Sequence, residues 1–311
     1  MVAETNLPIV VGVDGSEHSD RAVRYGVEEA RRRGTGLTLV HAVHETAPMA
    51  AMLPLYSVEA FAEVGQRLVH DAERLVHGID RGIEVGTSVQ AGSRVGVLVD
   101  AGEHASLVVI GHRSRSMAGR VLTHSTSTGV AARAHCPVVS VPEAWAPGGA
   151  VGRVVVGVDE SDASHDALDL AFKEARRRKA ALVALHAWRL PTAYVDMGYS
   201  QLAVDESMGE ARGEIEKIAE PFREVYSDVD VEISVQHDYP GPALLEAAQG
   251  ADVVVVGRRG HGAPLGIYLG SLARMLIREG TCPVEVAPQH PRHALRAEDR
   301  LLAEDQIAPQ L

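Results

Sequence analysis

Ile9-Val10-Val11-Gly12-Val13-Asp14 recurs 145 residues later as Val154-Val155-Val156-Gly157-Val158-Asp159, and the duplication runs on through the chain. Leu39-Val40-His41-Ala42 returns as Ala184-Leu185-His186-Ala187, at the same offset of 145. Leu107 to Gly111 returns as Val253 to Gly257, and Cys136-Pro137-Val138 as Cys282-Pro283-Val284, at an offset of 146. Two copies at this period are duplicated domains, because solenoid repeats are several-fold shorter. A chain of 311 residues is also long enough for two ordinary domains. The expected division is a first domain over 1–144, a linker over 145–152, a second domain over 153–289 and a polar tail over 290–311. The linker is read from Trp145-Ala146-Pro147-Gly148-Gly149-Ala150.

Within each copy, short β-branched runs alternate with segments of helical period. In the first copy the strands are expected near 8–13, 37–43, 83–89, 106–110 and 138–141. Between the first two, Ala22, Val23, Gly26, Val27 and Ala30 share one helical face. Ser16, Ser19 and Asp20 are candidate N-caps, and Arg31-Arg32-Arg33-Gly34 reads as cations at the negative end of the helix dipole followed by a glycine stop. The second copy repeats the pattern with Ala167, Leu168, Ala171, Phe172 and Ala175, ending in Arg176-Arg177-Arg178. The dipole alone accounts for these triplets, so they are expected to be solvated helix ends and not anion sites. Strands that are apolar throughout, each followed by a helix, imply an α/β fold with a five-stranded parallel sheet per domain and helices on both faces. Ligands in such folds sit at the carboxyl ends of the strands.

The composition removes several functions. A net charge of −12 argues against a broad basic face for nucleic acid. Lysine occurs only at Lys173, Lys179 and Lys217, which leaves almost no chemistry that needs a particular lysine. Two cysteines support neither a disulfide framework nor a zinc site. Met1 to Pro8 lacks the basic and apolar regions of a secretory signal, and no apolar run is long enough to span a bilayer. The expectation is a cytoplasmic protein with no membrane partner.

The fourth strand of the second copy runs into Gly257-Arg258-Arg259-Gly260, a further glycine-rich stretch, and then Gly270-Ser271 at the start of a helical segment. Glycines let backbone N–H groups approach an anion and tolerate positive φ. Ser271 can offer its hydroxyl, and a helix N-terminus supplies unsatisfied donors and partial positive charge. No Gly-Lys pair exists for a Walker A loop, and no Gly-x-Gly-x-x-Gly follows a strand.

Gly257-x-x-Gly260, nine residues, then Gly270-Ser271 resembles the ATP-binding signature of the universal stress protein family. Val-Gly-Val-Asp at the first strand, His-Ala after the second and Cys-Pro-Val at the last are also similar to the family pattern. The resemblance covers about residues 8–142 and 153–287 and identifies the chain as a tandem member. It implies the Rossmann-like fold shared with the adenine nucleotide alpha hydrolases. It also implies roles: Gly157, Val158 and Asp159 at the adenine and ribose end, with Ala187 presenting backbone to the base. Val256, Gly257 and Gly260 would hold the ribose and phosphate turn, and Gly270, Ser271, Leu272 and Ala273 would meet the phosphates. Arg258 or Arg259 would balance charge, and magnesium would ride on the phosphates without a protein cage of carboxylates.

The first copy departs from the signature. It reads Gly111-His112-Arg113-Ser114, nine residues, then His124-Ser125, so two of three glycines are replaced. A side chain at His124 would fill space meant for phosphate. Asp14, Ala42, Gly111, Ser125 and Ser127 remain as candidate ligand contacts, with Arg113 and Arg115 nearby. Three outcomes stay open for this copy: a different anion, weak ATP binding, or none.

Asp14 and Asp159 each lack a paired acid or adjacent nucleophile, so a ligand-orienting role is expected and no catalytic residue is assigned. His41 and His186 are expected to be structural or pocket-lining, and Cys136 and Cys282 to be small buried hydrophobes. Family dimers that pair their last strands would bring those cysteines near each other, which leaves a disulfide as the less favoured alternative. Apolar segments at 45–61 and 190–208, rich in Met, Tyr and Pro, could cover a pocket or a partner surface. The expected protein is an ATP-binding regulator of stress survival or dormancy, homodimeric, with an unidentified protein partner and no dedicated turnover. The alternatives are a slow ATP hydrolase and an interaction module that binds no nucleotide.

Overall fold

The computed structural model describes residues 7–43, 58–112, 125–189, 201–260 and 269–289, the side chains of 58–61 and 201–205 excepted. The chain divides into two compact units, residues 1–150 with 277–285 and residues 151–276 with 286–311. The first half runs β1 (Ile9–Gly12), α1 (Glu17–Arg33), β2 (Leu37–Val43), α2 (Val58–Ile79), β3 (Val85–Ala91), α3 (Arg94–Gly102), β4 (Leu107–Gly111), α4 (Thr126–Ala131) and β5 (Val138–Val141). Its strand order is β3-β2-β1-β4-β5, with every neighbouring pair parallel.

The second half repeats the plan as β6 (Arg153–Gly157), α5 (Asp162–Arg178), β7 (Ala181–Ala187), α6 (Gln201–Val225), β8 (Val231–Gln236), α7 (Pro240–Ala248), β9 (Val253–Gly257), α8 (Ser271–Glu279) and β10 (Val284–Ala287). The strands lie in the order β10-β9-β6-β7-β8, and β6 pairs parallel with both β7 and β9. The chain therefore steps one way from β6 to β7 and the other way to β9, which opens a crevice at the carboxyl end of β6.

Buried β-branched side chains explain why these segments are strands. Ile9 and Val11 of β1 are fully buried beside Leu107 and Val109 of β4, and Val154 and Val156 of β6 beside Val253 and Val255 of β9. Each such side chain contributes roughly 1.5–3 kcal/mol when taken from water. Two aromatic clusters help to fill the cores: Phe172 stacks on Phe222 and Tyr226, and Tyr25 meets Trp145 edge-on at 5.3 Å. The expected linker thus begins with a residue packed on the first domain's core.

Ser16 is the N-cap of α1, its Oγ accepting from the Ser19 N–H at 3.3 Å, and Gly34 ends the helix at φ 64°. In the second half Lys179 takes that left-handed position at φ 54°, a conformation that costs a non-glycine residue about 1 kcal/mol.

The arginine triplets correct the expectation of solvated ends. Arg33 is only 8% exposed and Arg178 only 5%, and each reaches a fully buried glutamate four residues back, Glu29 or Glu174. Arg32 donates to Glu29 at 2.6 Å and Arg177 to Glu174 at 2.9 Å. The outermost arginines, Arg31 and Arg176, turn to Asp80 and Asp228 beyond the next helix. A carboxylate buried this deeply is tolerable only when paired in this way, so the triplet is a packing device.

Candidate functional site

The two copies fix their β1 and β6 ends with the same histidine bond. A main-chain carbonyl can only accept, so Nδ1 of His41 carries the proton that it donates to Val13 O at 2.8 Å. His186 does the same for Val158 O at 2.9 Å. These histidines are structural: each pins the residue that precedes the strand-end aspartate.

That aspartate organises the first turn of the following helix. Asp159 Oδ1 accepts from the Ser161 N–H at 3.0 Å, from the Ser161 hydroxyl, and from Ser164 Oγ at 2.7 Å. Ser164 Oγ in turn accepts from the Asp159 N–H at 2.8 Å. In the first copy Asp14 Oδ1 accepts from the Ser16 N–H at 3.0 Å and from its hydroxyl. Burial opposes the charge on Asp14, but hydrogen bonds from Ser16 and Ser19 and the nearby Arg94 together hold its carboxyl below the ordinary value.

At the end of β6 lies a cavity of about 860 Å³, within the usual range for small-molecule sites. All eleven residues assigned from sequence in the second copy line it: Gly157, Val158, Asp159, Ala187, Val256, Gly257, Gly260, Gly270, Ser271, Leu272 and Ala273. Val158, Leu185, Ala187, Leu244 and Val256 form an apolar wall. The other side is the start of α8. There the Gly270 N–H is already bonded to Arg258 O at 2.9 Å, and the first intrahelical bond is Arg274 N–H to Gly270 O at 3.1 Å. Gly270 therefore contributes its place and not a donor. Among the described residues the N–H groups of Ser271, Leu272 and Ala273 have no acceptor within the helix, and these residues line the cavity at the positive end of the helix dipole.

The glycines serve close approach and not left-handed backbone, since neither Gly257, Gly260 nor Gly270 has a positive φ. A β-carbon on Gly257 would lie 2.9 Å from Ala163 O, and one on Gly260 2.8 Å from Asp159 Oδ2. The first contact is with α5 and the second with the strand-end aspartate, so both glycines let the turn pack closely against its own domain.

Of the two candidate cations, Arg259 lines the cavity, and Arg274 joins it from the first turn of α8. Sequence reasoning also missed Ser164, Tyr239, Pro240, Gly241 and Met275. Ser164 carried a readable signal, because Asp-x-Ser-x-x-Ser occurs in both copies, as Asp14, Ser16, Ser19 and as Asp159, Ser161, Ser164.

In the first copy Asp14, Ala42 and Gly111 stand at or next to the ends of β1, β2 and β4, and Ser125 is the N-cap of α4. Ser125 makes no side-chain cap bond, and Ser127 is buried. A β-carbon on Gly111 would run into the His18 carbonyl, so this glycine is also dictated by helix contact. Arg113, Ser114, Arg115 and His124 lie outside the described residues, as do most of the apolar segments 45–61 and 190–208 and the stretch 261–268. Cys136 and Cys282 are buried and not joined in a disulfide.

Among the described residues no helix is long and apolar enough to cross a membrane, and no group of three or more His, Cys, Asp or Glu could hold a metal ion.

The profile of the universal stress protein family matches residues 6–142 and 151–288. Universal stress protein Rv1996 of Mycobacterium tuberculosis is 34% identical over 312 residues, covering 93% of this chain and 98% of the relative. A universal stress protein of Mycolicibacterium smegmatis is 34% identical over 291 residues, covering 91% and 97%. Among solved structures, a universal stress protein from Archaeoglobus fulgidus superposes with a TM-score of 0.67 at 19% identity, covering 92% of this chain and all of that one. A further one from Pseudomonas aeruginosa gives 0.57 at 15% identity, covering 94% and 96%. At these identities the structures speak for the fold alone.

Proposed function

The chain belongs to the universal stress protein family, in its tandem two-domain form, and its role is stress-related; from that premise we propose that the second domain binds ATP and that binding serves regulation. One observation carries the reading. A single cavity joins an apolar wall suited to a base with three open backbone N–H groups at a helix start suited to phosphate.

Val158, Ala187 and Val256 would contact the base and ribose, and Asp159 would orient the ribose hydroxyls with the oxygen that faces Gly260. Ser271, Leu272 and Ala273 would donate to the phosphates, with Arg259 and Arg274 neutralising charge and magnesium bound chiefly by phosphate oxygens. The cavity offers Asp159 as its carboxylate, and three serine or main-chain donors occupy one of its oxygens. That leaves it suited to orienting a ligand and poorly suited to activating water. We therefore assign no turnover to the site and expect the output to be a change of conformation or assembly, in the cytoplasm, through a homodimer and a protein partner. The first domain would act without ATP.

The test is calorimetric titration of the purified protein with ATP and magnesium, paired with phosphate release over hours. Saturable binding without release supports the regulator. Release at steady multiple turnover would make it a hydrolase, and absence of binding would leave an interaction module.

A further inference from the structure

The two halves treat one helix start differently. Helix α3 begins after Ser93, whose Oγ accepts from the Gly96 N–H at 3.0 Å. At the matching place, 146 residues on, the residue before α7 is Tyr239, which makes no side-chain cap bond. In the second copy the third helical residue is Pro242, which has no N–H, so the cap of the first copy has no donor there and the residue before the helix is released from that role. What stands there is a tyrosine, a residue that lines the cavity and is 54% exposed. The ring is also held: the Arg189 guanidinium lies over it, 4.6 Å from its centroid. The Tyr239 N–H is fixed by Asp238 Oδ1 at 2.7 Å, and Pro240 restricts the Tyr239 backbone before it to the extended region.

A cation over an exposed aromatic ring limits its rotation in advance of any ligand, which lowers the ordering cost of stacking on it. Tyr239 enters the cavity from α7, which packs against β6, β7 and β9, whereas the open donors belong to α8. We propose that Tyr239 is the platform on which the base of the ligand stacks, so that this cavity selects a nucleotide over a bare polyphosphate. The inference rests on the ATP reading above and adds the residue that makes the site specific for a base. Stacking of a base on an aromatic side chain does not depend on hydrogen-bond pattern, so the platform favours any nucleoside triphosphate over inorganic triphosphate.

The experiment measures binding of ATP and of inorganic triphosphate, each with magnesium, to the full chain and to Tyr239→Ser and Tyr239→Phe, together with thermal unfolding without ligand. Tyr239→Ser removes a half-exposed ring and puts a residue favoured before a helix start in its place, so it is expected to unfold at about the wild-type temperature while binding ATP about tenfold more weakly. Triphosphate binding should change by less than about twofold, and Tyr239→Phe should keep ATP affinity within about twofold. If triphosphate is too weak to measure, the ATP ratio between the Ser and Phe variants decides. Full ATP affinity in Tyr239→Ser, equal losses for both ligands, or a Phe variant as weak as the Ser variant would each overturn the platform while leaving the ATP site standing. A wild-type chain that binds no ATP would remove both.

Discussion

Oδ2 of Asp159 stands 2.8 Å from where a β-carbon on Gly260 would lie, while Oδ1 is tied to Ser161 and Ser164. The carboxylate is wedged between a helix start and the glycine turn, and it cannot retreat without breaking those bonds. Gly260→Ala should therefore turn Asp159 away from the cavity while sparing the fold. Losing one oriented hydrogen bond of about 1–1.5 kcal/mol weakens ATP binding roughly tenfold. Calorimetry on this variant checks it; unchanged affinity would mean that Asp159 does not touch the ligand.

The buried glutamates should dominate stability. Glu174→Gln removes the buried carboxylate charge that Arg177 and Arg178, the latter only 5% exposed, both reach. Breaking one side of a buried pair costs about 3 kcal/mol or more. Arg31→Ala removes a bridge whose arginine is 45% exposed, and should cost under about 1 kcal/mol. Urea unfolding of both variants separates an interior cluster from solvated helix ends, since solvated ends would make the two losses alike.

Two groups give opposite pH signatures. The Asp14 carboxyl is held below its ordinary value, so its contribution to stability is complete above about pH 4 and is lost as pH falls through the lowered value. Asp14→Asn should therefore be less stable than wild type near neutrality and converge with it in acid. Burial, followed by the Asp169 carboxylate, pushes the Tyr226 phenol up to about 12. Its contribution is complete below about pH 10 and is lost as pH rises through about 12. Absorbance titration of wild type against Tyr226→Phe should show one phenol ionising late, and identical curves in the normal range would contradict this.

His186 acts at one remove from the cavity. His186→Phe keeps an aromatic ring but loses the bond to Val158 O, which should cost about 1 kcal/mol of stability and lower ATP affinity severalfold. His41→Phe loses the equivalent bond to Val13 O and should cost similar stability with ATP affinity intact. Equal effects on ATP would place nucleotide in both copies.

The duplication made the architecture legible, because each apolar strand and each strand-end glycine could be read twice. The same redundancy exposed Asp159, Ala187 and Gly257, and would have exposed Ser164. It also held the key to the arginine triplets: Glu29 and Glu174 recur at the same offset within an apolar helical face, where a lone carboxylate could not stay without partners. The dipole explanation hid this, since it accounts for the same cations. Tyr239 and Met275 were illegible for the opposite reason. They have no counterpart signal in the first copy, and a tyrosine before Pro240 looks like an ordinary loop residue until the chain brings α7 over the β6 end.

The central claim is one ATP per chain, held at the start of α8, and nucleotide counting tests it most directly. Protein is saturated with ATP and magnesium, freed of unbound ligand, denatured, and its released nucleotide quantified for wild type and Gly270→Asp. Aspartate is a good residue before a helix start, so the fold should hold, but its carboxylate would take the open donors and repel phosphate. The account predicts about one nucleotide per wild-type chain and essentially none for Gly270→Asp. Two per chain, or one that survives in Gly270→Asp, would contradict it.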